Sequence, residues 1–303
     1  MPTIHKVAIF GASGNFGTPI TAALQRAETF AITIITRPES TSTFPPGLPI
    51  IRTPYTLADL TTALTGQDAA ICVVGPGGIP AQATMVEAAA AAGVKRFIID
   101  DFGWGHNPYS LPEFSAIHAQ RRVGWDLAQQ KARENPGFTF TGITTGNPID
   151  WAMKKFPMMG FDIARAAAII YDSGTERFSG TTLAGIGQAV VGVLLHPEET
   201  ANRFVKVLSI VTNQNELLEA FQRASTGRQW TVQRDSAQRL RETGHRKFQE
   251  GNGMWRLELV VAQMFDEGQA RCVVAPSWSE SDSPLLGVVE ECADEVVAKV
   301  LQG

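Results

Sequence analysis

The sequence is poor in several things that would narrow a function at once. Its three cysteines, Cys72, Cys272 and Cys292, stand far apart among 303 residues. They show no metal-ligand spacing and cannot form a closed disulfide framework, so a stapled scaffold and a cysteine metal site are excluded and a reducing compartment fits. Charged residues make up only 18% of the chain, the net charge is −4, and no run of Lys or Arg occurs. Phosphate binding along a nucleic acid needs a concentrated basic face, so no nucleic-acid partner is expected. No stretch reaches the ~18–20 apolar residues of a membrane span. The first ten residues run into a strand without a basic leader ahead of a long apolar core. A cytosolic protein with no membrane contact is expected, as a monomer or homodimer.

What is present is a chain 44% hydrophobic, long for one minimal domain and short for three. Its first third alternates short apolar runs with longer segments of helical periodicity, which is the pattern of repeated βαβ units. Residues 7–10, 32–35, 69–74 and 97–99 read as strands. Residues 18–26, 57–64 and 81–92 read as helices, the last dense in Ala, Met and Glu. Right-handed crossovers between them give a parallel sheet. A loop rich in Gly, Asn and Pro follows over residues 102–112. A helix over 115–133 and a strand over 138–143 then complete the sheet. The fold class expected is α/β, a Rossmann-type doubly wound parallel sheet over residues 1–150, with a smaller α+β substrate region over 151–303 interleaved with it. In that region 186–195, 216–224 and 288–301 read as helices and 204–210 as a strand.

Between the first strand and first helix stands Gly11-Ala12-Ser13-Gly14-Asn15-Phe16-Gly17. Glycines there let the backbone turn sharply and approach a pyrophosphate, while the helix beyond offers unpaired N–H groups and the positive end of its dipole. Ser13 adds a hydroxyl. The bland alternative, a tight turn with no ligand, does not explain why the glycines fall at this point of a βαβ unit. Arg37 ends the second strand, where NAD sites place a carboxylate and a guanidinium suits the extra phosphate of NADP. NADPH is therefore the expected cofactor, although Glu39, two residues on, is an alternative acidic reader of the ribose. Val74 and Gly75, in Val73-Val74-Gly75-Pro76-Gly77, end the third strand with small and rigid residues suited to close approach of the cofactor.

With these in view, and with Lys95-Arg96-Phe97-Ile98-Ile99-Asp100-Asp101-Phe102-Gly103 following, the chain resembles the NmrA-like, isoflavone reductase-like branch of the atypical short-chain dehydrogenases. Residues 182–191 and Thr212-Asn213-Gln214-Asn215-Glu216-Leu217 are similar to the later half of that family. The resemblance implies a Rossmann fold, NADPH, and reduction of phenolic or related small molecules, or, in other members, redox-sensitive regulation. It also implies a proton-transferring lysine in the helix after the Phe-Gly loop. Gln120 stands at that position here, and a neutral amide has no proton to transfer near pH 7. The short-chain Tyr-x-x-x-Lys pair is missing too. The only tyrosines are Tyr55, Tyr109 and Tyr171, and Asp59, Glu113 and Thr175 stand four residues after them.

His118, titratable near neutrality and two residues before Gln120, and Tyr109 in the loop leading to it are the candidate proton donors. Asp101 and His106 lie near the expected crevice, and Lys154 and Lys155 either enter it or form a solvated face. Phe102 with Gly103 would shape the nicotinamide side. Trp104, Phe114, Trp151, Met153 and Phe156 would line an apolar substrate pocket or, for Trp151 above all, belong to the core. The leading expectation is an NADPH-dependent reductase of a small apolar, aromatic or polyketide-like carbonyl or enone. The alternatives are a dinucleotide-sensing regulator without turnover and a non-redox isomerase or cyclase.

Overall fold

The computed structural model describes residues 3–302. Its first strand, β1 (Lys6–Phe10), is apolar throughout because both faces are covered. Val7 and Ile9 enter one core layer, Ala8 and Phe10 the other. There follow α1 (Gly17–Arg26), β2 (Ala31–Thr36), β3 (Ile50–Arg52), α2 (Leu57–Leu64), β4 (Ala69–Cys72), α3 (Gln82–Ala91), β5 (Arg96–Ile98), α4 (Ser115–Glu134) and β6 (Thr139–Thr144). The chain continues through β7 (Asn147–Pro148), α5 (Ile149–Met153), β8 (Phe161–Asp162), β9 (Ala167–Tyr171), β10 (Phe178–Thr181) and α6 (Leu183–Leu195). It then forms β11 (Arg203–Lys206), β12 (Ile210–Thr212), α7 (Gln214–Ala224), β13 (Thr231–Asp235), α8 (Ala237–Gln249), α9 (Trp255–Phe265) and α10 (Ala293–Gln302).

The main sheet has seven strands in the order β11-β6-β5-β4-β1-β2-β3, and every pairing in it is parallel. Ile20 and Leu24 of α1 and Ile186, Val190 and Val193 of α6 cover one face. Leu60 and Leu64 of α2, Met85 and Val86 of α3, and Trp125 and Ala128 of α4 cover the other. This is the doubly wound α/β fold. From β1 the chain winds outward to β2 and β3, then crosses back to β4 on the opposite side of β1. The crevice outside the carboxyl ends of β1 and β4 is therefore the topological switch point where such sheets bind ligands. Two three-stranded sheets, β12-β10-β7 and β13-β9-β8, share a second core with α5, α7, α9 and α10, built around Phe161, Phe178, Phe221 and Phe265.

Three expectations for the later half need correction. The apolar run 204–210 is two strands. After β11 pairs with β6, Val207 still donates to Thr144 O, but Ser209 donates to Gly180 O and the chain enters a different sheet. The closing helix begins at Ala293 rather than 288. Residues 288–292 are held instead by long-range bonds, Val289 N to Gln188 Oε1 and Glu291 N to Ser209 O. The nucleotide-binding sheet is not complete at residue 143, because β11 adds a strand to its edge; β3, an unexpected strand from before that point, forms the far edge.

Candidate nucleotide-binding and active site

A cleft of about 410 Å³ opens at the switch point. Its walls come from four strand ends: Gly11, Ser13 and Gly14 after β1, Arg37, Ser40 and Ser42 after β2, Tyr55 after β3, and Val74 and Gly75 after β4. Two of the glycines are there because nothing larger fits. Gly11 has φ +82°, and a Cβ on it would lie 2.2 Å from the carbonyl oxygen of Val73. A Cβ on Gly17 would lie 2.0 Å from Gly11 O. Gly14 is less constrained, with Gly11 O at 3.3 Å from its Cβ position. At the start of α1 the capping residue Phe16 makes no side-chain bond and no acidic residue occupies the first turn. Asn15 is exposed beside it. Thr18 N donates back to Gly14 O and Pro19 has no N–H, but no side chain caps the helix start, so its positive dipole end is left for an anion, and the cradle fits a pyrophosphate.

After β2, Arg37 lines the same cleft and is exposed, its Nε 3.4 Å from Glu39 Oε1. Tyr55 faces the same space. Its ring stands edge-on to Phe10 at 5.7 Å between centroids, and burial, chiefly, pushes its phenol up to about 12.

The carboxyl end of β5 carries a second polar centre. Asp101 is fully enclosed. Thr144 Oγ1 donates to its Oδ2 at 2.7 Å and Gly105 N to its Oδ1 at 3.1 Å, while burial raises the carboxyl to about 6. Asp100 beside it is raised to about 7 by burial, against the pull of Arg121 and with a smaller push from Asp101. Asp100 Oδ2 and Gln82 Nε2 are both buried without a hydrogen-bond partner. Arg121, one position past Gln120 on α4, donates from Nη1 to Asp101 O at 2.8 Å. Phe102 is buried with φ +35°, a conformation that costs a non-glycine residue on the order of 1–3 kcal/mol and holds only where its surroundings enforce it.

The proton-donor candidates lie apart in character. His118 is half-buried on α4, its ring 6.4 Å from that of Phe114. Burial first, then Arg122 and Arg121, lower its pKa below the usual value. Tyr109 is exposed on the preceding loop, which Arg271 ties down by donating to Tyr109 O at 2.9 Å. Gln120 is exposed. His106 sits edge-on to Trp125 and Phe204, 4.9 and 4.6 Å away. Lys154 and Lys155 are exposed, with Lys155 Nζ over the Trp151 ring at 5.8 Å.

The five apolar residues expected to line one pocket are distributed instead. Phe114 packs with Leu111, Trp255 and Leu259. Met153 is in the second core with Trp151 against it. Trp104 bridges that core and a small cluster at Leu208. Phe156 is exposed. Trp104, Trp151 and Met153 thus share the second core, Phe114 is buried in a separate cluster, and Phe156 faces solvent.

The chain matches the NAD(P)H-binding family over residues 11–162, a segment that runs from the first glycine through β2 to β6 of the main sheet and on to β8. It is also 78% identical over 301 residues to oxidoreductase poxI of Penicillium oxalicum, covering 99% of this chain and 95% of that one. This chain belongs to the NAD(P)H-binding family. It is an NAD(P)H-binding oxidoreductase. Its fold is that of isoflavone reductase (TM-score 0.72, 18% identity, 97% and 98% of the two chains covered). An NADPH-dependent quinone oxidoreductase from Escherichia coli, solved with NADPH, shares it as well (TM-score 0.71, 17% identity, 97% and 99% covered).

Sequence reasoning on this oxidoreductase missed Tyr55, Ser40 and Ser42 as cleft residues, and missed Arg121 and Gln82 beside the β5 carboxylates. Tyr55 follows a three-residue strand flanked by prolines, and the only signal for it was its rarity. Arg121 had a clearer one, since it adjoins Gln120 on the helix that the family resemblance singles out.

Proposed function

We propose that this oxidoreductase uses NADPH to reduce a small, largely apolar carbonyl or enone of aromatic or polyketide-like character. The observation that carries the reading is Arg37 at the end of β2, on the same cleft as the glycine loop. A guanidinium there pairs with a 2′-phosphate through charge-assisted bonds, whereas a 2′-hydroxyl offers it little. The NADPH bound by the quinone oxidoreductase of like fold supports the same choice.

In this reading the loop from Gly11 to Gly17 holds the pyrophosphate on backbone N–H groups, with Ser13, Asn15 and Phe16 at the entrance to α1. Val74 and Gly75 let the ribose approach, and Phe102 with Gly103 shapes the nicotinamide side. The cofactor supplies the hydride. His118 supplies the proton: its lowered pKa makes its imidazolium a stronger acid than an ordinary histidine. Tyr109 is the second donor within the loop, and Gln120 offers a hydrogen bond but no proton.

Calorimetric titration with NADPH and NADH, followed by NADPH oxidation against a panel of aromatic enones and ketones, tests the proposal. Tighter binding of NADPH, a larger loss for NADPH than for NADH in Arg37→Ala, and substrate-dependent oxidation are expected. Equal losses for the two dinucleotides would remove the phosphate-reading role, and binding without oxidation of any panel member would leave a sensor.

A further inference from the structure

Resting on the NADPH reading above, we infer that Tyr55 is a second reader of the 2′-phosphate, its hydroxyl donating to the group that pairs with the Arg37 guanidinium. Arg37, Ser40, Ser42 and Tyr55 line the same cleft as the glycine loop, although they come from two different strand ends. Tyr55 is not placed there by a mobile loop. Its ring stands at 88° to that of Phe10, the fully buried last residue of β1, so the strand that delivers the glycine loop also fixes the phenol. Among the described residues the hydroxyl has no hydrogen-bond partner.

Charge and protonation suit the role. Arg37 and Glu39 both act on the Tyr55 hydroxyl, which puts it within reach of the charges that a 2′-phosphate would meet. The phenol, raised to about 12, keeps its proton at neutral pH and remains a donor. An added dianion needs more than one donor to replace its water, and in the apo cleft Arg37 faces Glu39, a neighbour that repels phosphate. A neutral donor in the same cleft offsets that repulsion without adding a charge that would have to be desolvated.

The test uses 2′,5′-ADP and 5′-ADP as probes, titrated calorimetrically into wild type, Tyr55→Phe, Arg37→Ala and the double variant. Phenylalanine keeps the ring against Phe10 and removes only the hydroxyl. A hydrogen bond to a charged group corresponds to roughly a 10- to 100-fold change in affinity. Tyr55→Phe is expected to lose that factor for 2′,5′-ADP while 5′-ADP binds as to wild type. The double variant should lose less than the product of the two single losses, because both groups hold one phosphate. An equal loss for both probes would make Tyr55 a support for the adenine ring and overturn the inference, as would no loss for either. If wild type itself binds the two probes equally, the NADPH reading fails first and Tyr55 falls with it.

Discussion

Replacing Asp100 by Asn should stabilise the protein, and by an amount that grows with pH. Asp100 is buried at the end of β5 with Oδ2 unpartnered, and its carboxyl is raised from 3.8 to about 7, chiefly by burial. The folded state therefore holds this proton more tightly than the unfolded chain does. Stability linked to the group is fully present below about pH 4 and is lost as pH rises through 7. A rise of about three units corresponds to about 4 kcal/mol at pH 8, and to roughly 2 kcal/mol at pH 5, where the folded carboxyl is still protonated. Asparagine has nearly the same shape and never ionises, so Asp100→Asn removes the penalty. With an unfolding entropy of about 2.1 cal/mol/K per residue, 4 kcal/mol across a chain of this length raises Tm by about 6 °C. Melting of wild type and variant at pH 5, 6, 7 and 8 reads this directly. A gap that stays constant from pH 5 to 8, or a variant melting below wild type at pH 8, would refute an ionised, poorly solvated Asp100.

Other consequences are open to simpler checks. Gly17→Ala puts a methyl 2.0 Å from Gly11 O; it should cost about 1–3 kcal/mol and abolish NADPH binding in calorimetry, whereas Gly14→Ala, with its methyl at 3.3 Å, should cost less, and normal affinity in Gly17→Ala would contradict the cradle described. Arg96 is fully buried and donates to the hydroxyls of Thr139, Thr141 and Thr200 and to Pro197 O. Arg96→Ala leaves those acceptors unpaired and should lower stability by about 3–5 kcal/mol in urea, a loss under about 1 kcal/mol marking the network as dispensable. For the reaction, kcat/KM should fall as pH rises through the lowered pKa of His118, and His118→Ala should reduce turnover about 10²-fold and flatten that limb; an unchanged profile would exclude His118 as the acid.

Where the sequence was legible, the physics was local. Strands covered on both faces read as apolar runs, α1, α2 and α4 carry an apolar stripe, and α3 is dense in strong helix formers, so the five strands β1, β2, β4, β5 and β6 and the four helices α1 to α4 could be placed within a residue or two. The glycine loop was equally plain because Gly11 and Gly17 are steric necessities. Legibility stopped where partners are distant. The stretch from Phe204 to Ile210 has the apolarity of one strand, but long-range pairing with Thr144 and Gly180 divides it between two sheets. Ile50–Arg52 is short, half exposed and preceded by proline, so nothing but pairing with β2 makes it a strand. Asp101 was visible as an acidic residue near the crevice, but its enclosure by Thr144 and Gly105 depends on β6 and the loop beyond. Aromatic residues misled for the same reason, because composition shows that Trp104 or Phe114 is apolar and not which helix will cover it.

The parallel pairing of β11 with β6 has a consequence for how the chain is made. Strand β6 ends at Thr144 and its outer neighbour ends at Lys206, about 60 residues later. During synthesis at roughly 5–20 residues per second, the nucleotide-binding half waits several seconds with its outermost strand bare. A bare strand offers its N–H and C=O groups to any passing chain. A fragment ending at residue 150 should therefore self-associate rather than behave as a small stable domain, and the second half is as much the guardian of the first as its companion in binding substrate.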